Sequence, residues 1–180
     1  MTKTLPLGRL FDRHPGLTEA IGAAYSEAAA VCLSRHHQSP VVLALHSHGI
    51  DSECTVEWNE PDQRARNAWA NEIDTTEQGA YAVSLAALEL QQGLVAFSRA
   101  QTLTGADYYV APIGSSLDDL EECLRLEVSG TDKGDQLTIK QRLNAKMRQA
   151  AEGDSNLPAI ASVVGFRARV VAIARVVETS

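Results

Sequence analysis

The sequence predicts a mixed α/β protein: one central sheet, with helices on its faces, holding a single hydrophobic core. Segments of helical period alternate along the chain with short β-branched apolar runs, in the order helix, strand, strand, long helix, strand, strand, helix, strand, strand. The composition is 44% hydrophobic and 22% charged, enough apolar surface to build a real core. A length of 180 residues suits one compact domain. Within it, residues 1–73 read as an N-terminal extension of helix and strands, and residues 74–180 as the core.

Residues 17–33 place Ile21, Ala24, Tyr25, Ala28 and Val31 at helical spacing, and the polar stretch 34–40 stops that helix. Pro40 opens a β-rich run at 41–46, and a second run follows at 54–58, together a hairpin or two sheet strands. The charged, proline-broken residues 60–67 form a loop or short helix. A long helix is expected over residues 76–101, where Tyr81, Leu85, Leu88 and Val95 share one face, and Thr75 and Gln78 have capping-box spacing. Residues 105–111 read as a turn into a strand, 114–119 as turn material and 123–129 as the next strand. Asp135 is placed to cap a helix running to about Ala151, ended by residues 153–158. The apolar runs 158–166 and 170–177 supply the last two strands.

Sixteen Lys and Arg against 23 Asp and Glu give a net charge of −7, so binding to a polyanion would need a local basic patch. No apolar stretch approaches membrane-spanning length, and the first residues lack a secretory apolar region. Cys32, Cys54 and Cys123 are odd in number and widely spaced, which argues against a disulfide framework or a thiolate metal site. These features point to a soluble cytoplasmic protein that does not associate with membranes. Aromatic residues are only 5% of the chain, too few for an extended base-stacking platform.

Polar residues interrupt the core pattern in one region. On the strand at 124–129, Leu124, Leu126 and Val128 face one way and Arg125, Glu127 and Ser129 the other. Asp107 lies at the strand before it, on the face of Tyr109 and Ala111, and Glu77 lies on the Tyr81 side of the long helix. Three convergent carboxylates could hold a hard divalent ion such as Mg or Mn, which activates water and neutralises phosphodiester charge. The plainer alternative pairs Arg125 with Asp119 or Glu121, leaves Glu127 facing water on an edge strand, and treats Glu77 as a favourable helix N-terminal charge.

The segments 76–81, 105–109 and 125–130, in the order helix, strand, strand, helix, strand, resemble the PD-(D/E)xK restriction-endonuclease-like phosphodiesterases over roughly residues 74–177. That resemblance implies a restriction-endonuclease-like core, with Asp107 and Glu127 as paired metal-binding acids and Glu77 as an auxiliary acid. It places a lysine where this chain has Ser129. In some members that lysine migrates to the following helix, where Lys146, and after it Lys140, flank the apolar stripe of Ile139, Leu143, Met147 and Ala150. The resemblance also implies Mg or Mn as cofactor, DNA ahead of RNA as substrate, and a phage-defence or mobile-element setting.

Lys133, Lys140, Arg142 and Lys146 are the candidate nucleic-acid contacts, against a default of solvated helix charges. His46 and His48, with Asp51, Glu53 and Cys54 nearby, lack further ligands at diagnostic spacing, and His36-His37 sits in a polar helix stop. Two functions follow: a metal-dependent nuclease or nuclease-like subunit, or a non-catalytic interaction protein on the same fold, working as a homodimer or within a larger assembly.

Overall fold

The structure is a computed structural model that describes residues 3–101, 104–115, 123–152 and 156–176. Its elements are β1 (Lys3–Thr4), a 3-10 turn (Leu10–Asp12), α1 (Glu19–Ser34), β2 (Val41–Ser47), β3 (Ile50–Val56), α2 (Gln63–Ala68), α3 (Glu72–Gln92), β4 (Leu94–Arg99), β5 (Tyr108–Pro112), β6 (Leu124–Thr131), α4 (Gln136–Ala151), β7 (Ala159–Gly165) and β8 (Val170–Arg175). The strands form one mixed sheet in the order β1-β3-β2-β8-β7-β6-β5-β4. The α/β class with a central sheet flanked by helices is therefore as expected. The N-terminal hairpin β2–β3 joins that sheet through a parallel pairing of β2 with β8.

Alternation along the strands builds two cores. Ile160 and Val164 of β7, with Val171 and Ile173 of β8, meet α1 and α3 in the larger one. Val163, Val170 and Ala172 point the other way, onto Ile139 of α4. No helix among the described residues is long and apolar enough to cross a membrane.

The expected long helix proves to be two elements. α3 ends at Gln92 because Gly93 takes a left-handed conformation (φ 64°) and its N–H closes back on Leu88 and Glu89. The apolar run after it leaves the helix and forms β4, antiparallel to β5. The N-terminus also moves. Asn71 accepts from the N–H groups of Ile73 and Asp74, whereas the Thr75 hydroxyl donates to the carbonyls of Asn71 and Trp69. Asp135 does cap α4, accepting from the Thr138 N–H at 2.8 Å. Of the segments expected as turn material and as the stop of α4, residues 116–119 and 153–155 lie outside the described residues.

Candidate functional site

β5 and β6 pair antiparallel with Tyr108 opposite Leu126 and Tyr109 opposite Arg125. One more step in that register sets Asp107, just before β5, across from Glu127. β6 runs on past the start of β5 to Thr131, so its last residues lack a neighbour strand on that side. The gap is a cleft of about 530 Å³ between α3 and α4. Glu72, Glu77 and Tyr81 line it from α3, Arg142 and Lys146 from α4, and Asp107, Asp132 and Lys133 from the connecting segments.

Both central acids are held. Asp107 accepts from the Val128 N–H on Oδ2 at 2.8 Å and from the Tyr81 hydroxyl on Oδ1 at 2.9 Å. Glu127 is 4% exposed and accepts from Lys146 Nζ on Oε1 at 2.7 Å. Burial pushes the Glu127 carboxyl above its ordinary range. The Lys146 ammonium opposes that shift, and the neighbouring Asp107 carboxylate adds to it. A buried acid beside a second carboxylate is the environment that a divalent cation relieves, and all the donors are hard oxygens, so the pair fits Mg or Mn.

The remaining expected residues divide. Glu77 is exposed on α3 and reaches the site only through Tyr81, whose hydroxyl lies 3.3 Å from its Oε1. Arg142 donates to Ser129 Oγ at 3.3 Å, so the serine that stands where the sequence resemblance expects a lysine holds a cation from α4. Lys133 grips Glu72 at 3.0 Å on the rim. Lys140 is exposed and outside the cleft: six residues from Lys146, it falls about 120° around the helix.

The plainer reading of Glu127 is corrected. β6 is an interior strand between β5 and β7, and its outward-alternating face lies under α4 rather than in water. Arg125 is also buried and donates to the carbonyls of Leu157 and Thr104; Asp119 and Glu121 lie outside the described residues.

Sequence reasoning missed Tyr81 and Arg99 as site residues. Arg99, at the end of β4, donates to the Tyr81 hydroxyl at 2.9 Å, and its guanidinium lies 4.5 Å above the Tyr81 ring. Burial, with the Asp107 carboxylate behind it, pushes the Tyr81 phenol well above its usual range, so the hydroxyl keeps a proton to donate. The available signal was Tyr81 one turn after Glu77; Arg99 was hidden inside the over-long helix.

The histidine constellation does not assemble. His46 Nδ1 pairs with Asp51 at 2.6 Å and His48 contacts Gln92, and among the described residues no three His, Cys, Asp or Glu side chains gather as a ready-made metal cluster. Compared with known proteins, the chain matches no protein-family model, no curated protein and no solved structure.

Proposed function

We propose that this chain is a Mg- or Mn-dependent nuclease or nuclease-like subunit acting on nucleic-acid phosphodiesters, with the cleft between α3 and α4 as its active site. One observation carries the reading: Asp107 and Lys146 line the cleft, and the Lys146 ammonium lies 2.7 Å from Glu127, the buried acid beside Asp107 at the cleft floor's edge. This supports the resemblance to PD-(D/E)xK enzymes with the lysine moved to the helix after the second acid.

Asp107 and Glu127 are the residues that would hold the ion. When bound, it supplies a water of lowered pKa and neutralises charge on the phosphodiester. The chain's own groups do the rest. Tyr81 and the Val128 N–H fix the plane of the Asp107 carboxylate, and the Lys146 ammonium opposes the upward shift that burial imposes on Glu127. Lys146 is also the cation nearest the acids, placed to meet a phosphate oxygen or orient the attacking water. Arg142 and Lys133 on the rim would bear the flanking phosphates. DNA is favoured over RNA by resemblance only. The same resemblance favours a cytoplasmic phage-defence or mobile-element role, as a homodimer or within a larger assembly.

A second reading has its own observation. Both oxygens of Asp107 and the ammonium of Lys146 already have protein partners, as expected of a self-satisfied network in a non-catalytic interaction protein. Calorimetric titration of Mn²⁺ and Mg²⁺, followed by incubation with labelled duplex DNA and RNA, separates the two. The nuclease reading expects wild type to bind, Glu127→Gln to bind at least tenfold more weakly, and cleavage to fall about 100-fold in Asp107→Asn. No metal uptake together with no cleavage would favour the second reading instead, and cleavage unchanged in both variants would refute this cleft as the active site.

A further inference from the structure

Arg99 and Asp107 are opposite charges that stop short of direct contact. Arg99 Nη2 lies 3.7 Å from Asp107 Oδ1, beyond hydrogen-bonding distance, although the guanidinium is half exposed and Asp107 is its nearest carboxylate partner. The Tyr81 hydroxyl intervenes, accepting from Arg99 Nη2 at 2.9 Å and donating to Asp107 Oδ1 at 2.9 Å. The guanidinium is further occupied by the faces of Tyr81 and Tyr108, at 4.5 and 4.8 Å from the ring centroids, and by the Tyr25 hydroxyl at 3.4 Å.

We infer that Tyr81 is a positioning residue that holds Arg99 off Asp107, keeping that carboxylate open to a divalent cation. An arginine free to meet a carboxylate closes into a two-pronged pair, which would consume the lone pairs that a cation needs. The phenol prevents this by taking one guanidinium N–H itself. Because that N–H occupies the phenol oxygen, the hydroxyl proton turns toward the carboxylates, and Asp107 at 2.9 Å is the closer acceptor than Glu77 at 3.3 Å. Asp107 then receives a single donor on each oxygen, from Tyr81 and from Val128, and each oxygen keeps a lone pair directed elsewhere. The arrangement also explains a tyrosine at a core position: Tyr81 is 2% exposed, and a phenylalanine would fill the same space without the spacer oxygen.

The inference rests on the metal reading of the cleft, and the test keeps the two apart. Mn²⁺ is titrated calorimetrically into wild type, Tyr81→Phe, Tyr81→Phe/Arg99→Gln and Tyr25→Phe, with each variant's unfolding midpoint measured alongside. The expected result is a loss of at least tenfold in Mn²⁺ affinity for Tyr81→Phe. Most of that loss should return in Tyr81→Phe/Arg99→Gln, because the competing cation is gone. Tyr25→Phe, which removes hydroxyl contacts to Tyr108 at 2.7 Å and to Arg99 at 3.4 Å but leaves the Tyr81 oxygen between Arg99 and Asp107, should bind within twofold of wild type. A purely structural role for Tyr81 predicts no recovery in the double variant. Unchanged affinity in Tyr81→Phe, or no recovery on removing Arg99, overturns the spacer role and leaves the metal reading standing. A folded wild type that takes up no Mn²⁺ overturns both.

Discussion

Replacing Lys146 with methionine strands the Glu127 carboxylate, and the cost can be worked from the geometry. The Glu127 side chain is 5% exposed and the Lys146 side chain 25%. Removing one partner of a fully buried ion pair costs about 3–5 kcal/mol. Lys146 keeps some solvent, and Glu127 escapes part of the penalty by taking up a proton, so about 2–3 kcal/mol is expected near neutral pH. For a chain of this size that is roughly 5–10 °C in unfolding midpoint.

The pH dependence has a definite sign. The folded Glu127 pKa already lies above its ordinary 4.5, and losing the ammonium raises it further. The native state then holds more protons than the unfolded chain, so stability falls as pH rises from about 4.5 through the folded value. The Lys146→Met deficit should therefore be large at pH 8 and small at pH 5. Glu127→Gln should behave oppositely, matching or exceeding wild-type stability at pH 8, because it removes a buried charge. Urea denaturation of wild type and both variants at the two pH values measures all of this. A Glu127→Gln loss as large as that of Lys146→Met, or a Lys146→Met deficit independent of pH, would refute the reasoning.

Other expectations concern the scaffold. His14 is fully buried, its Nδ1 accepting from the Ala96 N–H at 3.0 Å and its Nε2 facing Glu89 at 3.2 Å; burial lowers its pKa, partly opposed by Glu89. The unfolded chain binds this proton first, so its contribution to stability is lost as pH falls below about 6.5. His14→Gln, which keeps an acceptor and a donor, should narrow the midpoint difference between pH 7 and pH 5, and an unchanged difference would rule His14 out. A β-carbon at Gly130 would lie 2.7 Å from the Thr76 carbonyl oxygen and 2.9 Å from Ala80 Cβ, so Gly130→Ala should cost about 1–3 kcal/mol by urea denaturation as α3 is forced off β6. Burial pushes the Cys32 thiol up to about 12 and the Cys54 thiol to about 11, so both should resist DTNB until the chain unfolds; fast labelling of either in the native state would contradict that burial.

What the sequence made legible was whatever depends on nearest neighbours. Asp135 as a cap, the 136–151 helix and two strands after Pro40 follow from local patterns; the structure has them, pairs the strands as a hairpin and starts the second earlier, at Ile50. Helical spacing set both Lys146 and Lys140 beside the Ile139 stripe, and the resemblance singled out Lys146 ahead of Lys140; in the structure it is Lys146 that meets Glu127. The failures lie where one pattern serves two structures. Leu94, Val95, Ala96 and Phe97 continue the apolar face of α3, yet they equally make a buried strand, and the deciding residue is Gly93. The approach of Asp107 to Glu127 was open because a register is a long-range property; a slip of one residue would have turned Glu127 to the α3 side. Arg99 could not be assigned without β4, and the role of Tyr81 could not be read without Arg99.

The pairing of β2 with β8 bears on how the chain can be divided. Residues 74–180 look like a self-sufficient unit when the sequence is parsed by resemblance, but cutting there would strip β8 of its outer neighbour and α3 of the helix packed along it. A freshly bared, apolar strand is a template for pairing with other chains, so the shortened fragment should precipitate or form mixed-strand oligomers. Residues 1–73 thus cover the sheet edge that β8 would otherwise expose, and genetic fusions or split-protein designs should place their junctions in surface turns elsewhere.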